Sequence, residues 1–281
     1  MRVVDRISDL KAIIRAQKKV GNAIGFAPTM GYLHDGHISL AKMSKHDNDF
    51  TIMSIFVNPV QFGVNEDFDK YPRDIEGDSM KAQSAGVDII FTPSVNEMYQ
   101  EGYNTFVEVF GITDKMCGKS RPGHFKGVAT VVNKLLNIVE PDKAYFGQKD
   151  AQQVAVIKQM AKDLNMNTEI ITCPIIREKD GLAMSSRNIY LNSEERKAAL
   201  LLSKSLFDAD AIIKAGERNK DKIYKNIVST ITADNLTNID YVDIVDSDTL
   251  QDIKIVKGRV LIALAVRIGK TRLIDNIIVE V

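Results

Sequence analysis

Up to about residue 176 the chain alternates short apolar runs with stretches in which apolar residues recur at threes and fours. Residues 23–27, 51–57, 88–92, 106–109, 144–146 and 169–176 have the length and apolar content of strands. Residues 7–19, 38–46, 74–85, 127–138 and 152–164 carry the period of amphipathic helices. Strand and helix in alternation make βαβ units, which build a mostly parallel sheet covered on both faces. Such sheets bind ligands beyond the carboxyl ends of their strands, so chemistry is expected there. Past Arg177 the order changes. Two long helical stretches, 193–215 and 220–233, precede strand-like runs at 239–245, 260–268 and 272–279, the pattern of a separate α+β unit. The expected organisation is a larger α/β domain over residues 1–176 and a smaller C-terminal α+β domain over 177–281, with the polar segment 177–188 as linker.

Composition changes this picture little. A chain of 281 residues, 44% hydrophobic and 26% charged, suits folded domains rather than disorder. Thirty-seven basic side chains balance thirty-seven acidic ones, with no surplus on either side of residue 176. A phosphate-backbone binder shows such a surplus, so no nucleic-acid partner is expected and any anion site must be built locally. Cys117 and Cys173 are too few for a disulfide framework or a cysteine-based zinc site. The opening residues lack an apolar signal core, and no apolar run reaches the ~18 residues of a spanning helix. A cytoplasmic protein without a membrane partner is the expectation.

The segment APTMGYLHDGH, residues 27–37, follows an expected strand and opens an expected helix. Gly31 and Gly36 let the backbone approach a ligand, and the helix start turns unpaired N–H groups and a positive dipole end toward any anion. His34 and His37 can donate hydrogen bonds or carry positive charge, as stabilising a polyphosphate under attack requires. Taken alone either histidine would read as a helix cap, but the strand, glycines and histidine pair together read as a phosphate site. A zinc site fits less well, since a tight glycine turn replaces continuous helix and no third ligand stands at a typical spacing.

H-x-G-H after a first strand resembles the signature of the nucleotidylyl-transferase superfamily, which includes the class I aminoacyl-tRNA synthetases and has a Rossmann-like fold. Its second signature is a downstream K-M-S-K-type loop. The KMSK at Lys42–Lys45 falls on the helix after the histidines and is set aside; AMSSRN, residues 183–188, is the better counterpart, offering hydroxyls and a guanidinium fork for phosphate. The P-loop-like GITDKMCGKS, residues 111–120, lacks the required glycine at Thr113 and runs into Arg121 and Pro122, so it too is discarded. FVNPVQFG (56–63), RPGHFKGV (121–128) and FGQKDAQQ (146–153) each place polar groups where a strand or turn enters a helix.

Together with YPRD (71–74), PDKAYFGQKDAQQ (141–153) and RLIDN (272–276), these blocks resemble, in family order and over nearly the whole chain, the pantoate–β-alanine ligase family. The resemblance implies an ATP-dependent condensation of pantoate with β-alanine through pantoyl adenylate, with Mg²⁺, in a homodimer. It implies that Met30, Gly31, Tyr32, Leu33, His34, Asp35, Gly36 and His37 hold ATP, with His37 and His34 catalytic. Gly147, Gln148, Lys149 and Asp150 would meet adenosine and phosphates, with Lys149 catalytic at the α-phosphate, and Ile176 would meet adenine through its backbone. Met184, Ser185, Ser186 and Arg187 would close over the nucleotide. Gln61, Gln153 and Asn58 would bind pantoate against a wall of Val131 and Val132, and Asp78 would ligate magnesium. The family often has glutamate at the position of Gln148 and tyrosine at that of Ala151, which touches the nucleotide pocket rather than the catalytic side chains. A cytidylyltransferase of the same superfamily and a nucleotide-sensing protein that keeps the fold are the competing readings.

Overall fold

The computed structural model describes residues 1–63 and 66–281. Its elements begin with β1 (Arg2–Val4), α1 (Ile7–Lys19), β2 (Ile24–Thr29), α2 (Asp35–Asp47), β3 (Phe50–Ile55), α3 (Ile75–Ser84), β4 (Ile89–Phe91) and α4 (Val95–Met98). They continue with α5 (Met116–Ser120), α6 (His124–Val139), β5 (Lys143–Gly147), α7 (Ala151–Asp163) and β6 (Glu169–Cys173). The last are α8 (Ser193–Lys214), α9 (Lys220–Ile231), β7 (Thr237–Asp246), β8 (Arg259–Ile268) and β9 (Thr271–Glu280). These elements form two compact units whose sequences interleave: Met1–Phe110, Arg121–Gly147 and Val156–Pro174 make one, and Gly111–Ser120, Gln148–Ala155 and Ile175–Val281 make the other.

The first unit is built on a parallel six-stranded sheet in the order β1-β4-β3-β2-β5-β6. β2 and β3 are buried on both faces, which is why their sequences are mostly apolar without strict alternation, and the polar Thr51 and Ser54 of β3 are buried too. From β2 the sheet grows one way to β3 and the other to β5, so a topological switch lies between β2 and β5, where a doubly wound sheet opens a crevice at its carboxyl edge. One layer of core, Ala27, Leu33, Leu40, Ala41, Met53, Ile90 and Tyr145, seats α2 and the segment before it on the sheet.

The second unit carries an antiparallel sheet, β7-β8-β9. Its central strand, RVLIALAVRI, is apolar on both faces because both are covered. Ile262, Leu264 and Val266 pack with Leu202, Leu206, Ile223 and Ile227 of α8 and α9, while Leu261 and Ala263 pack with Met116, Val245 and Leu250.

Three expectations about elements change. Residues 106–109 join no strand; Val107 instead gives its N–H to Thr130 Oγ1 at 2.9 Å, so the apolar alternation there reflects an extended segment anchored to a helix side chain. The strand expected to reach residue 176 stops at Cys173, because Pro174 has no N–H to continue the ladder. β1, only three residues and half exposed, is too short to leave a periodic signal. Among the described residues no helix is long and apolar enough to cross a membrane.

Candidate active site

The loop leaving β2 is braced on every side. Gly31 adopts φ +87°, and a Cβ there would lie 2.8 Å from Ile55 and 3.0 Å from Asp78, so only glycine fits. Asp78 of α3 is 1% exposed and accepts the N–H groups of Tyr32 at 2.8 Å and Leu33 at 2.6 Å, one on each oxygen. Lys81, one turn on, donates to the carbonyl of Leu33 at 2.7 Å. Burial pushes the Asp78 carboxyl above its ordinary pKa, while the two amides and Lys81 pull against that. Asp78, expected as a magnesium ligand, thus has both oxygens engaged in holding the loop.

His34 caps α2. Its Nδ1 accepts the N–H of Gly36 at 3.2 Å, and Nδ1 of His37 accepts the N–H of His34 at 3.3 Å, a reciprocal capping box with the two rings 4.0 Å apart. An imidazole whose Nδ1 accepts carries its proton on Nε2. The cap therefore favours the tautomer with the proton on Nε2 in both rings, which lie at the positive end of a helix of 13 residues. Met30 and Tyr32 stand half-buried beside them, Asp35 is exposed in the first turn, and Gly36 supplies a backbone N–H.

Gln61 lies in the 3-10 turn Pro59–Gln61, 8% exposed, with its amide nitrogen 3.0 Å from Met30 Sδ. The turn rests on α6: a Cβ on Gly127 would lie 2.4 to 2.6 Å from the backbone of Val60 and Gln61. Asn58 donates to Gln61 Oε1 and to the Gly127 carbonyl and accepts from Val60 N–H and the Tyr99 hydroxyl. Every polar atom of this side chain is engaged inside the unit, so it holds Gln61 rather than offering itself to a ligand. Val131 and Val132 lie on α6, each 5% exposed. Below the turn, Arg121 forks onto Glu66 at 2.7 and 2.6 Å, and His124 meets the Gln61 carbonyl at 2.9 Å. Burial opposes the Glu66 charge, but hydrogen bonds and charge from Arg121, with the Gly63 amide and His124, outweigh it and hold the carboxyl at about 2.

The second unit holds the other expected residues. Gln148, Lys149 and Asp150 form a 3-10 turn, and Lys149 Nζ stands 3.9 Å from Asp150. Asn276 of β9 donates to the carbonyls of Gln148 at 3.0 Å and Lys149 at 2.9 Å. Of the two adjacent glutamines on α7, Gln152 is buried and ties Cys117 N–H and the carbonyls of Ile112 and Lys115, whereas Gln153 is half-buried. Arg177 pairs bidentately with Asp275 at 2.6 and 3.0 Å. Residues 176–184 double back, with Met184 N–H on the Ile176 carbonyl at 3.0 Å and Arg177 bridged to Ala183. They lead to the 3-10 turn Ser186–Tyr190, capped by Ser185 Oγ on Arg187 N–H at 3.3 Å. The discarded KMSK lies on α2, with Ser44 buried against Thr51 and Lys45 paired to Asp88 at 3.0 Å. Asp275 and Asn276 fall within the RLIDN block noted in the sequence, but neither they nor Arg177 were expected to hold these turns; the buried Asp-Asn pair inside an apolar strand pattern is the signal that could have found them.

The family model described as pantoate-beta-alanine ligase matches residues 2–278. The chain is 66% identical to the pantothenate synthetase of Acetivibrio thermocellus over 281 residues, all of both chains. Among solved structures it is similar to the pantothenate synthetase of Thermus thermophilus, with TM-score 0.94 and 41% identity over 99% of each chain. It is also similar to the Francisella tularensis pantoate-beta-alanine ligase complexed with beta-gamma ATP and beta-alanine, with TM-score 0.81 and 40% identity over 99% of this chain and 97% of that one. The chain belongs to the pantoate–β-alanine ligase family, and its activity is the ATP-dependent condensation of pantoate with β-alanine that this family catalyses.

Proposed function

We propose that the condensation is carried by the residues described above in two steps. A carboxylate oxygen of pantoate attacks the α-phosphorus of ATP and pyrophosphate leaves; the neutral amine of β-alanine then attacks the acyl carbon of pantoyl adenylate and AMP leaves. The attacking carboxylate needs no base, so the first step calls for positioning and charge stabilisation. The observation that carries this reading is the reciprocal cap at α2, which turns the Nε2–H groups of His34 and His37 into fixed donors for phosphate oxygens at a helix N-terminus. His37 supplies the proton-donor role and Lys149 the compact positive charge at the α-phosphate. Met30 to His37, Gly147 to Asp150 and the Ile176 backbone hold the nucleotide, and Met184, Ser185, Ser186 and Arg187 close over it. Gln61 and Gln153 orient pantoate as neutral amides, Val131 and Val132 cover its methyl groups, and Asn58 keeps Gln61 in place.

Magnesium would accompany ATP and offset its phosphate charge; the described residues do not fit a protein cage for it, since no group of three or more His, Cys, Asp or Glu is placed to hold an ion and both oxygens of Asp78 already accept backbone amides. The α/β part serves as the ATP- and pantoate-binding domain and the C-terminal part as its lid. The enzyme works in the cytoplasm as a homodimer. Phe106 and Phe110, 47% and 78% exposed on a segment that joins no strand among the described residues, support a partner surface there. Pantoate labelled with oxygen-18 in its carboxylate tests the chemistry: label must appear in AMP, and bound pantoyl adenylate must precede pantothenate in a rapid quench. ADP and phosphate as products would place attack at the γ-phosphorus and end the nucleotidylyl-transfer reading.

A further inference from the structure

A single buried side chain governs the turn that carries Lys149. Asn276 is 2% exposed, and its Nδ2 group donates to two successive carbonyls, those of Gln148 at 3.0 Å and Lys149 at 2.9 Å. Those two carbonyls belong to the peptide planes on either side of the Lys149 Cα, so the pair of bonds fixes the rotation of the turn as well as its place. Gln148 Nε2 donates to Asn276 Oδ1 at 3.2 Å, which settles which way the asparagine amide faces. Asparagine is disfavoured in a strand interior, and a buried amide is costly unless fully bonded. A plain apolar residue would complete the strand, but it would release the two carbonyls.

The preceding residue works on the other catalytic segment. Asp275, also 2% exposed, takes both Arg177 contacts and the N–H of Asn276 at 2.8 Å, and Arg177 reaches on to the Gly181 carbonyl at 3.2 Å. Adjacent strand residues point to opposite faces. One dipeptide of β9 thus grips the Lys149 turn on one side and the chain leading into Ser185 and Arg187 on the other.

We propose that Asn276 is a positioning residue, which through its hydrogen bonds to the Gln148 and Lys149 carbonyls aims the Lys149 ammonium at the phosphate under attack. The proposal rests on the assignment of Lys149 to the α-phosphate, and the two can fail separately. The test is a double-mutant cycle read by single-turnover adenylate formation at enzyme excess, which keeps slow variants on scale. Asn276→Ala should slow the step by about 10- to 100-fold, the effect of moving a catalytic group by about an ångström, with KM for pantoate changed less than about threefold. In a Lys149→Ala background the same change should cost less than about twofold, because its route of action is already gone. Asn276→Ser, which keeps one donor, should recover part of the rate, and it carries the same cycle if the alanine variant does not fold. Equal losses from the Asn276 change in both backgrounds, or a normal rate for a folded Asn276→Ala, overturn the positioning role. A normal rate for Lys149→Ala overturns the Lys149 assignment itself and the proposal with it.

Discussion

Adding one methyl group at Gly127 should disable pantoate use while leaving the protein folded. In Gly127→Ala the new Cβ would lie 2.4 Å from the Val60 carbonyl oxygen and 2.5 and 2.6 Å from the Cα and N of Gln61. Ordinary contact begins near 3.4 Å, so the turn must retreat by about 1 Å, and all three atoms are backbone with no rotamer to yield. The retreat also strains the hydrogen bond from Asn58 Nδ2 to the Gly127 carbonyl, now 3.2 Å. Stability changes modestly: overpacking costs about 1–3 kcal/mol, and alanine returns about 1 kcal/mol over glycine inside a helix. Catalysis suffers more, since an ångström of misplacement can cost about a hundredfold. Initial rates of pyrophosphate release against pantoate concentration should show that loss in kcat/KM for pantoate, while KM for ATP stays within about twofold. Urea unfolding run in parallel should show a cooperative transition with little change in midpoint. If kcat/KM for pantoate remains within about twofold of the unchanged protein, either the packing of α6 on the turn or the role of Gln61 is wrong.

Two further outcomes follow from the same side chains. His34→Asn should keep the cap on α2, because asparagine can accept the N–H that His34 now accepts, but it removes the Nε2–H donor. Unchanged melting with adenylate formation down by about a hundredfold is expected, and near-normal turnover would remove His34 from the phosphates. Glu66 has a folded pKa of about 2 against an ordinary 4.5, so its contribution is complete above about pH 5 and is lost as pH falls through 4.5 toward 2. Its side chain is 25% exposed, which tempers a shift of that size to about 2–3 kcal/mol. Glu66→Gln should therefore be less stable than the parent at pH 7 and equal to it near pH 2; a gap independent of pH would refute the assignment.

What the sequence disclosed follows from the range of the forces involved. β2, β3 and β5 lie inside the sheet and stand out as short, mostly apolar runs, and the loop after β2 announces itself through closely spaced glycines and histidines. The parts that hold those residues in place come from far along the chain. Asp78 reaches the loop across 46 positions and Tyr99 reaches Asn58 across 41. No local period could reveal such pairings. Gln152 and Gln153 are identical neighbours, and only the rotation of α7 separates the one that ties α5 from the one left half-buried. The segment 106–109 misled for the opposite reason: its alternation is real, but nothing in the described chain pairs with it as a strand.

The distance in sequence between the Lys149 turn and the asparagine that closes it has a meaning for how the enzyme is made. They are 127 positions apart, and at roughly 5–20 residues per second a ribosome needs about 6–25 s to travel from one to the other. During that interval the histidine loop and its α3 brace have already been synthesised, whereas the lysine turn still lacks its lock. With the roles proposed for the histidine loop and Asn276, ribosome-bound intermediates arrested ahead of β9 should hold nucleotide without turning it over.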